Sequence, residues 1–171
     1  MDPIDTLSTI SEITITLAGF AAIATSLQTK SAGLLAATRI RLRFLLLNSF
    51  GILFISLLGI LLLHLELSAR VVWGCTSVLF LSAFAGNAWW AREYQPVLKS
   101  TELELPRLFN SAFIILMISA VAANIANLVF WGNFGPLLYG IVSLLFGISG
   151  SFTWLVVTYL DDLVPEGSQD G

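Results

Sequence analysis

The chain has 171 residues, 57% of them hydrophobic and 11% charged, with a formal net charge of −3 at pH 7. Soluble globular domains carry about a quarter of their residues as charges, so an ordinary soluble domain is excluded. The mean hydropathy of +0.89 places most of the chain in an apolar solvent.

A hydrocarbon core about 30 Å thick needs roughly 20 helical residues, each rising about 1.5 Å. Five stretches meet that length: 6–27, 44–65, 71–91, 108–131 and 136–160. They lack the alternation of a barrel strand and are about twice its length. The expected fold is all-α, a polytopic transmembrane bundle of five spans forming one membrane domain over residues 1–171. The alternative is four spans plus a re-entrant or interfacial first helix.

The first span begins after Asp2 and Asp5, with no Lys or Arg before Lys30. A secretory signal has a basic start and a cleavage site, so this span is expected to remain in the mature protein. At about 100° per residue, Asp5, Ser8, Thr9, Glu12, Thr16, Gly19, Ser26 and Lys30 fall on one side, and Leu7, Ile10, Leu17, Ala21 and Ala24 on the other. Lipid cannot satisfy such a stripe, which must meet other helices, a subunit interface or water. A carboxylate within a span is a functional candidate by default. Glu12, Thr16 and Ser26, with Asn124 and Asn127 of the fourth span, are therefore candidates for a permeation path or coupling site. The competing expectation is that Glu12 only hydrogen-bonds a neighbour and serves assembly.

Between the first two spans, residues 28–43 mix Leu34, Leu35, Ile40 and Leu42 with charges. A helix lying on or emerging from an anionic leaflet places Arg39, Arg41 and Arg43 near lipid phosphates, each contributing on the order of 1 kcal/mol. Anionic lipid is thus an expected partner. The second span adds Asn48 and ends near His64; the third holds Cys75 and Asn87. A solitary cysteine excludes an internal disulfide and a cysteine metal cluster, and Cys75 is expected to be a small packing residue. The segment from Arg92 to Arg107 balances basic residues with Glu93, Glu102 and Glu104, and is expected to be a solvated loop with no affinity for nucleic acid.

On the fourth span Asn110, Phe113, Met117, Ala120, Asn124 and Asn127 share a face. Amides in lipid usually bond across helices, contributing about 0.6 to 2 kcal/mol. Gly132 to Pro136 forms a turn that makes the last two spans a hairpin, with proline opening the fifth helix. That helix carries a stripe of Gly140, Ser143, Gly147, Ser151, Trp154 and Thr158, whose small members permit close helix packing. Whether the partner helix is in the same chain or in another subunit is open.

Seven of the eight Lys and Arg fall in the two connections after the first and third spans; Arg70 is alone on the other side. The positive-inside rule then puts the N-terminus outside and the C-terminus, with Asp161 and Asp162, in the cytoplasm. Trp73, Trp131 and Tyr139 are expected at one interface, and Trp89, Trp90, Tyr94 and Tyr159 at the other.

The run from Ser11-Glu12 through Ile13-Thr14-Ile15-Thr16-Leu17-Ala18-Gly19-Phe20, with Arg39-Ile40-Arg41-Leu42-Arg43 ahead of the second span, resembles a group of small, functionally uncharacterised bacterial inner-membrane proteins. A looser similarity covers Tyr139 to Phe152. The resemblance implies a bacterial inner membrane and no particular activity. Glu12 alone is similar to the membrane-embedded glutamate of small multidrug-resistance transporters. Gly147-Ile148-Ser149-Gly150 resembles the nucleophile motif of rhomboid proteases, but no histidine follows it in the chain. No zinc motif, phosphate loop or haem ligand pair is present, so neither catalysis nor a cofactor is expected. The favoured expectation is a homo-oligomeric ion or small-solute channel or transporter lined by the first helix, and the alternative is a non-catalytic membrane scaffold or accessory subunit. A lipid-acting enzyme ranks last, for want of a nucleophile and base.

Overall fold

The computed structural model describes residues 2–28, 36–99 and 107–161. Lys30, Glu102, Glu104 and Asp162 lie outside the described residues, as do the side chains of Ser26, Arg39, Arg41, Tyr94, Trp131, Trp154, Thr158 and Tyr159. Five helices run in order: α1 (Pro3–Gln28), α2 (Ala36–His64), α3 (Ala69–Lys99), α4 (Arg107–Ala126) and α5 (Phe134–Asp161), with a π-helical turn, Asn127–Trp131, after α4. Each is long and apolar enough to cross a membrane, and no strand occurs among the described residues. The five-span bundle stands, and the fold is that of a multi-pass membrane protein.

Local chemistry explains where the helices depart from the expected boundaries. α1 starts at Pro3 because Asp2 caps it, its Oδ1 accepting the Ile4 N–H at 2.9 Å, while proline suits the first helical position. α2 starts at Ala36, so Arg39, Arg41 and Arg43 occupy its first turns and the basic segment continues directly into the span. α3 runs on to Lys99, which makes the expected loop from Arg92 shorter. Ala91, Arg92 and Glu93 favour helix, and leaving the apolar layer does not itself end one. Between α2 and α3 the chain turns at Glu66, whose φ of 54° is left-handed and whose N–H donates to the Leu63 carbonyl at 3.1 Å.

The core draws on every helix: Leu7 and Ile10 of α1, Leu45, Ile52 and Ile55 of α2, Val72, Trp73 and Phe80 of α3, Met117 and Ala120 of α4, and Leu137, Ile141 and Ile148 of α5 are buried together. α1 lies along α2 and touches α5 only lightly. Gly59 admits this approach, since a Cβ there would meet Leu7 Cδ1 at 3.0 Å. α4 packs along α5, whereas contacts between α3 and the α4 limb concentrate at the π-turn.

Candidate functional site

The side of α1 that carries Leu7, Ile10 and Ala21 faces the bundle, and the opposite, polar side faces away from it. Asp5, Ser8, Thr9, Glu12, Thr16 and Gly19 are all exposed. Apolar flanks border them, Ile13 on one side and Ile15 on the other, with Phe20 and Ile23 more than half exposed beyond. The Thr9 and Thr16 hydroxyls donate to the carbonyls one turn back, Asp5 O at 3.0 Å and Glu12 O at 2.8 Å. Back-bonding of this kind lets threonine face an apolar phase. It leaves the carboxylates of Asp5 and Glu12 without a side-chain partner among the described residues, and Glu12 is the one farther from the helix end. The inner side of α1 is itself partly polar: Thr6, Ser11 and Thr14 are buried, each hydroxyl donating to its own helix.

Asn124 and Asn127 were grouped with Glu12 by sequence, and the structure does not bring them together. Both amides are buried, on α4 and the π-turn, neither of which packs along α1 as α2 does. Asn124 Nδ2 donates to Ala120 O and, across the hairpin, to Pro136 O, both at 2.9 Å. Asn127 Nδ2 reaches Ser77 Oγ on α3 and Asn133 O at 3.0 Å each, and its Oδ1 accepts the Asn133 N–H at 2.7 Å. One amide therefore ties α3, the π-turn and the start of α5. The turn closes through Gly132, with φ of 61° and its N–H on Asn127 O at 2.9 Å. A Cβ on Gly132 would stand 2.8 Å from Arg70 Cγ, so both backbone angle and space demand glycine there. A second amide pair, Asn87 Nδ2 to Asn48 Oδ1 at 2.9 Å, joins α3 to α2.

The small stripe of α5 also resolves inward. A Cβ at Gly140 would lie 2.7 Å from Phe80 Cζ of α3, and added methyls at Gly147 and Gly150 would collide with the rings of Phe113 and Phe109 of α4. Ser143 is buried and bonds the Tyr139 carbonyl at 2.8 Å, while Ser151 is half-buried. The packing partners of these glycines are in the same chain. Of the expected interfacial aromatics, Trp89 is 77% exposed, but Trp73 is buried and packs on Phe134 with ring centres 4.8 Å apart. A ring at the start of one helix and another at the start of its neighbour fill the same end of the core, which removes Trp73 from the lipid surface. Cys75 is exposed and is not a packing residue of the core. Arg43 is exposed at the start of the second span. His64 Nδ1 donates to the Ile60 carbonyl at 2.9 Å at the end of α2, and Ser149 is exposed midway along α5.

No protein-family model, curated protein or solved structure matches the chain. The surface of α1 is thus the candidate site on physical grounds alone. Sequence reasoning missed Ser77 as the partner of Asn127. Its signal was present, because Trp73, Ser77 and Phe80 follow the spacing of one buried helix face.

Proposed function

We propose that the protein works as a homo-oligomer in a bacterial inner membrane and conducts ions or small solutes along a path lined by α1. The observation that carries this reading is the exposed polar face of α1, on which Glu12 has no partner among the described residues. An intramembrane carboxylate needs water, a counter-charge or donors. Copies arranged about an axis with α1 innermost supply a hydrated space. The inner core of one chain is built from large apolar side chains and amides bonded within the chain, with Asn124 Oδ1 and Ser56 Oγ as the buried acceptors left unpaired among the described residues, which favours a path between copies. The basic residues at the start of α2 and the end of α3 support an N-terminus outside and a C-terminus in the cytoplasm. No catalytic role is proposed.

A second reading, a non-conducting assembly surface for this chain or another, has its own support. Beyond Thr16 the same face continues as Gly19 and exposed Ile23, so the described polar lining spans only the N-terminal half of the helix. Liposome flux with purified protein separates the two. Conduction predicts flux of a cation, anion or proton that Glu12→Gln alters in selectivity or pH response while the oligomer mass is unchanged, and that Glu12→Leu blocks. Absence of flux over a wide range of pH and voltage, with Glu12→Gln dissociating the oligomer, would establish the assembly surface. In intact cells, Asn133→Cys on a Cys75→Ser background should react with an impermeant thiol reagent added outside and Lys99→Cys should not; labelling at Lys99→Cys instead overturns the orientation.

A further inference from the structure

A crevice of about 240 Å³ opens between α2, α3, α4 and α5, with Asn48 and Asn87 in its wall and Phe84, Phe113, Met117 and Ile118 among its apolar lining. It is partly open to the outside, and Ala88, Ile114 and Ile118 at its rim are exposed. The fold accounts for the gap. α3 and α4 are tied at the π-turn by Asn127 and Ser77, and α4 keeps to α5, so the two helices separate toward Asn87 and Phe113. The bridging amide pair, Asn48 with Asn87, links α2 to α3 and leaves α4 outside the bond.

We infer that this crevice holds an acyl chain of an anionic phospholipid whose headgroup sits on the basic start of α2. An apolar cavity of roughly 150 Å³ already admits benzene, and the space here is larger, while drug-sized ligands take about 300 Å³ or more. The volume suits a segment of hydrocarbon chain better than a whole ligand. Its surroundings are lipid: Ile114, Ile115 and Ile118 on the flank of α4 are all exposed and apolar. The amide pair bonds within the protein, so an apolar guest need not satisfy Asn48 Oδ1. Charge selects the headgroup. Phe44 lines the crevice and Arg43 immediately before it is exposed, with Arg39 and Arg41 in the preceding turn of the same helix. The Arg43 guanidinium can pair with a phosphate oxygen, and a net anionic lipid gains more from such a cation than a zwitterionic one. The site is independent of conduction through α1.

The test uses the full chain in nanodiscs of phosphatidylcholine containing either phosphatidylglycerol or phosphatidylcholine with a photoactivatable diazirine on one acyl chain. The expected result is labelling of Phe84, Met117 and Ile118 by the glycerol lipid at least fivefold above that of Phe54 and Val78, which are exposed on α2 and α3 away from the lining. Ala88→Trp at the rim should cut the crevice labelling at least fivefold with helicity and particle size unchanged; Ile114→Phe serves as a second filling variant should Ala88→Trp not fold. Arg43→Gln should reduce the preference for the glycerol lipid. Labelling of the crevice no stronger than of Phe54 and Val78, indifference to both filling variants, or equal labelling by the two lipids overturns the assignment. So does disulfide coupling between Ile118→Cys chains in native vesicles, which would give the crevice to a protein neighbour.

Discussion

The Asn127 tie and the Glu12 face both put polar groups into apolar helices, yet one is sealed inside the bundle and the other turned away from it. The difference follows from what each group needs. An amide carries both donors and an acceptor, so a hydroxyl and a turn of backbone satisfy Asn127 completely. A carboxylate needs donors or a counter-charge, and α1 contains no Lys or Arg. Burying it beside Leu7 and Ile10 would leave an unpaired charge, which is far more costly than an unpaired dipole. Asparagine therefore serves to fasten helices within the chain, and the glutamate is left for water or for another molecule.

The strongest way to expose this contrast is to remove the tie. Asn127→Ala deletes three bonds and strands the Ser77 hydroxyl and the Asn133 amide, and should lower unfolding stability by roughly 2 to 4 kcal/mol, given buried and intramembrane hydrogen-bond magnitudes. Glu12→Gln, which touches no bond inside the bundle, should change it by less than about 0.5 kcal/mol. Denaturation in mixed micelles compares the two; equal losses would mean that Glu12 is part of the chain's own packing. Next in size is Gly147→Ala. Its new methyl meets the Phe113 ring, and overpacking of this sort costs about 1 to 3 kcal/mol. The loss should appear at any protein concentration, because α4 and α5 belong to one chain; a loss confined to oligomer dissociation would place a subunit contact there instead. The smallest effect is expected at the α2 to α3 turn, where Glu66→Gly relieves a left-handed residue and should stabilise the chain by less than about 1 kcal/mol. A destabilised variant would show that the Glu66 side chain holds the turn.

The aromatic positions show how sequence and packing divide the information. Trp73 and Trp89 occupy comparable places near opposite ends of the third span, and an interfacial role was expected of both. Only Trp89 is exposed; Trp73 turns onto Phe134 across the bundle. Hydropathy gives depth along a span, and it carries no information about which neighbour lies beside a given face. Glycines behave alike: the stripe of α5 announces close packing, but Phe80, Phe109 and Phe113 come from helices whose positions around α5 are not written in its periodicity.

Length and apolar content alone determined five spans, because a bilayer admits few other ways to satisfy a backbone without water. The rotational pattern of α1 was equally legible: a polar side opposite Leu7, Ile10 and Ala21 follows from about 100° per residue, and the structure keeps it. Direction was a different matter. That the polar side points out of the bundle, that Asn124 and Asn127 point in, and that a crevice opens where α3 and α4 part depend on which helices adjoin. Those neighbours are selected by contacts between residues far apart in the chain, such as Asn127 with Ser77 and Leu7 at Gly59, and such pairings exist only once the helices have packed.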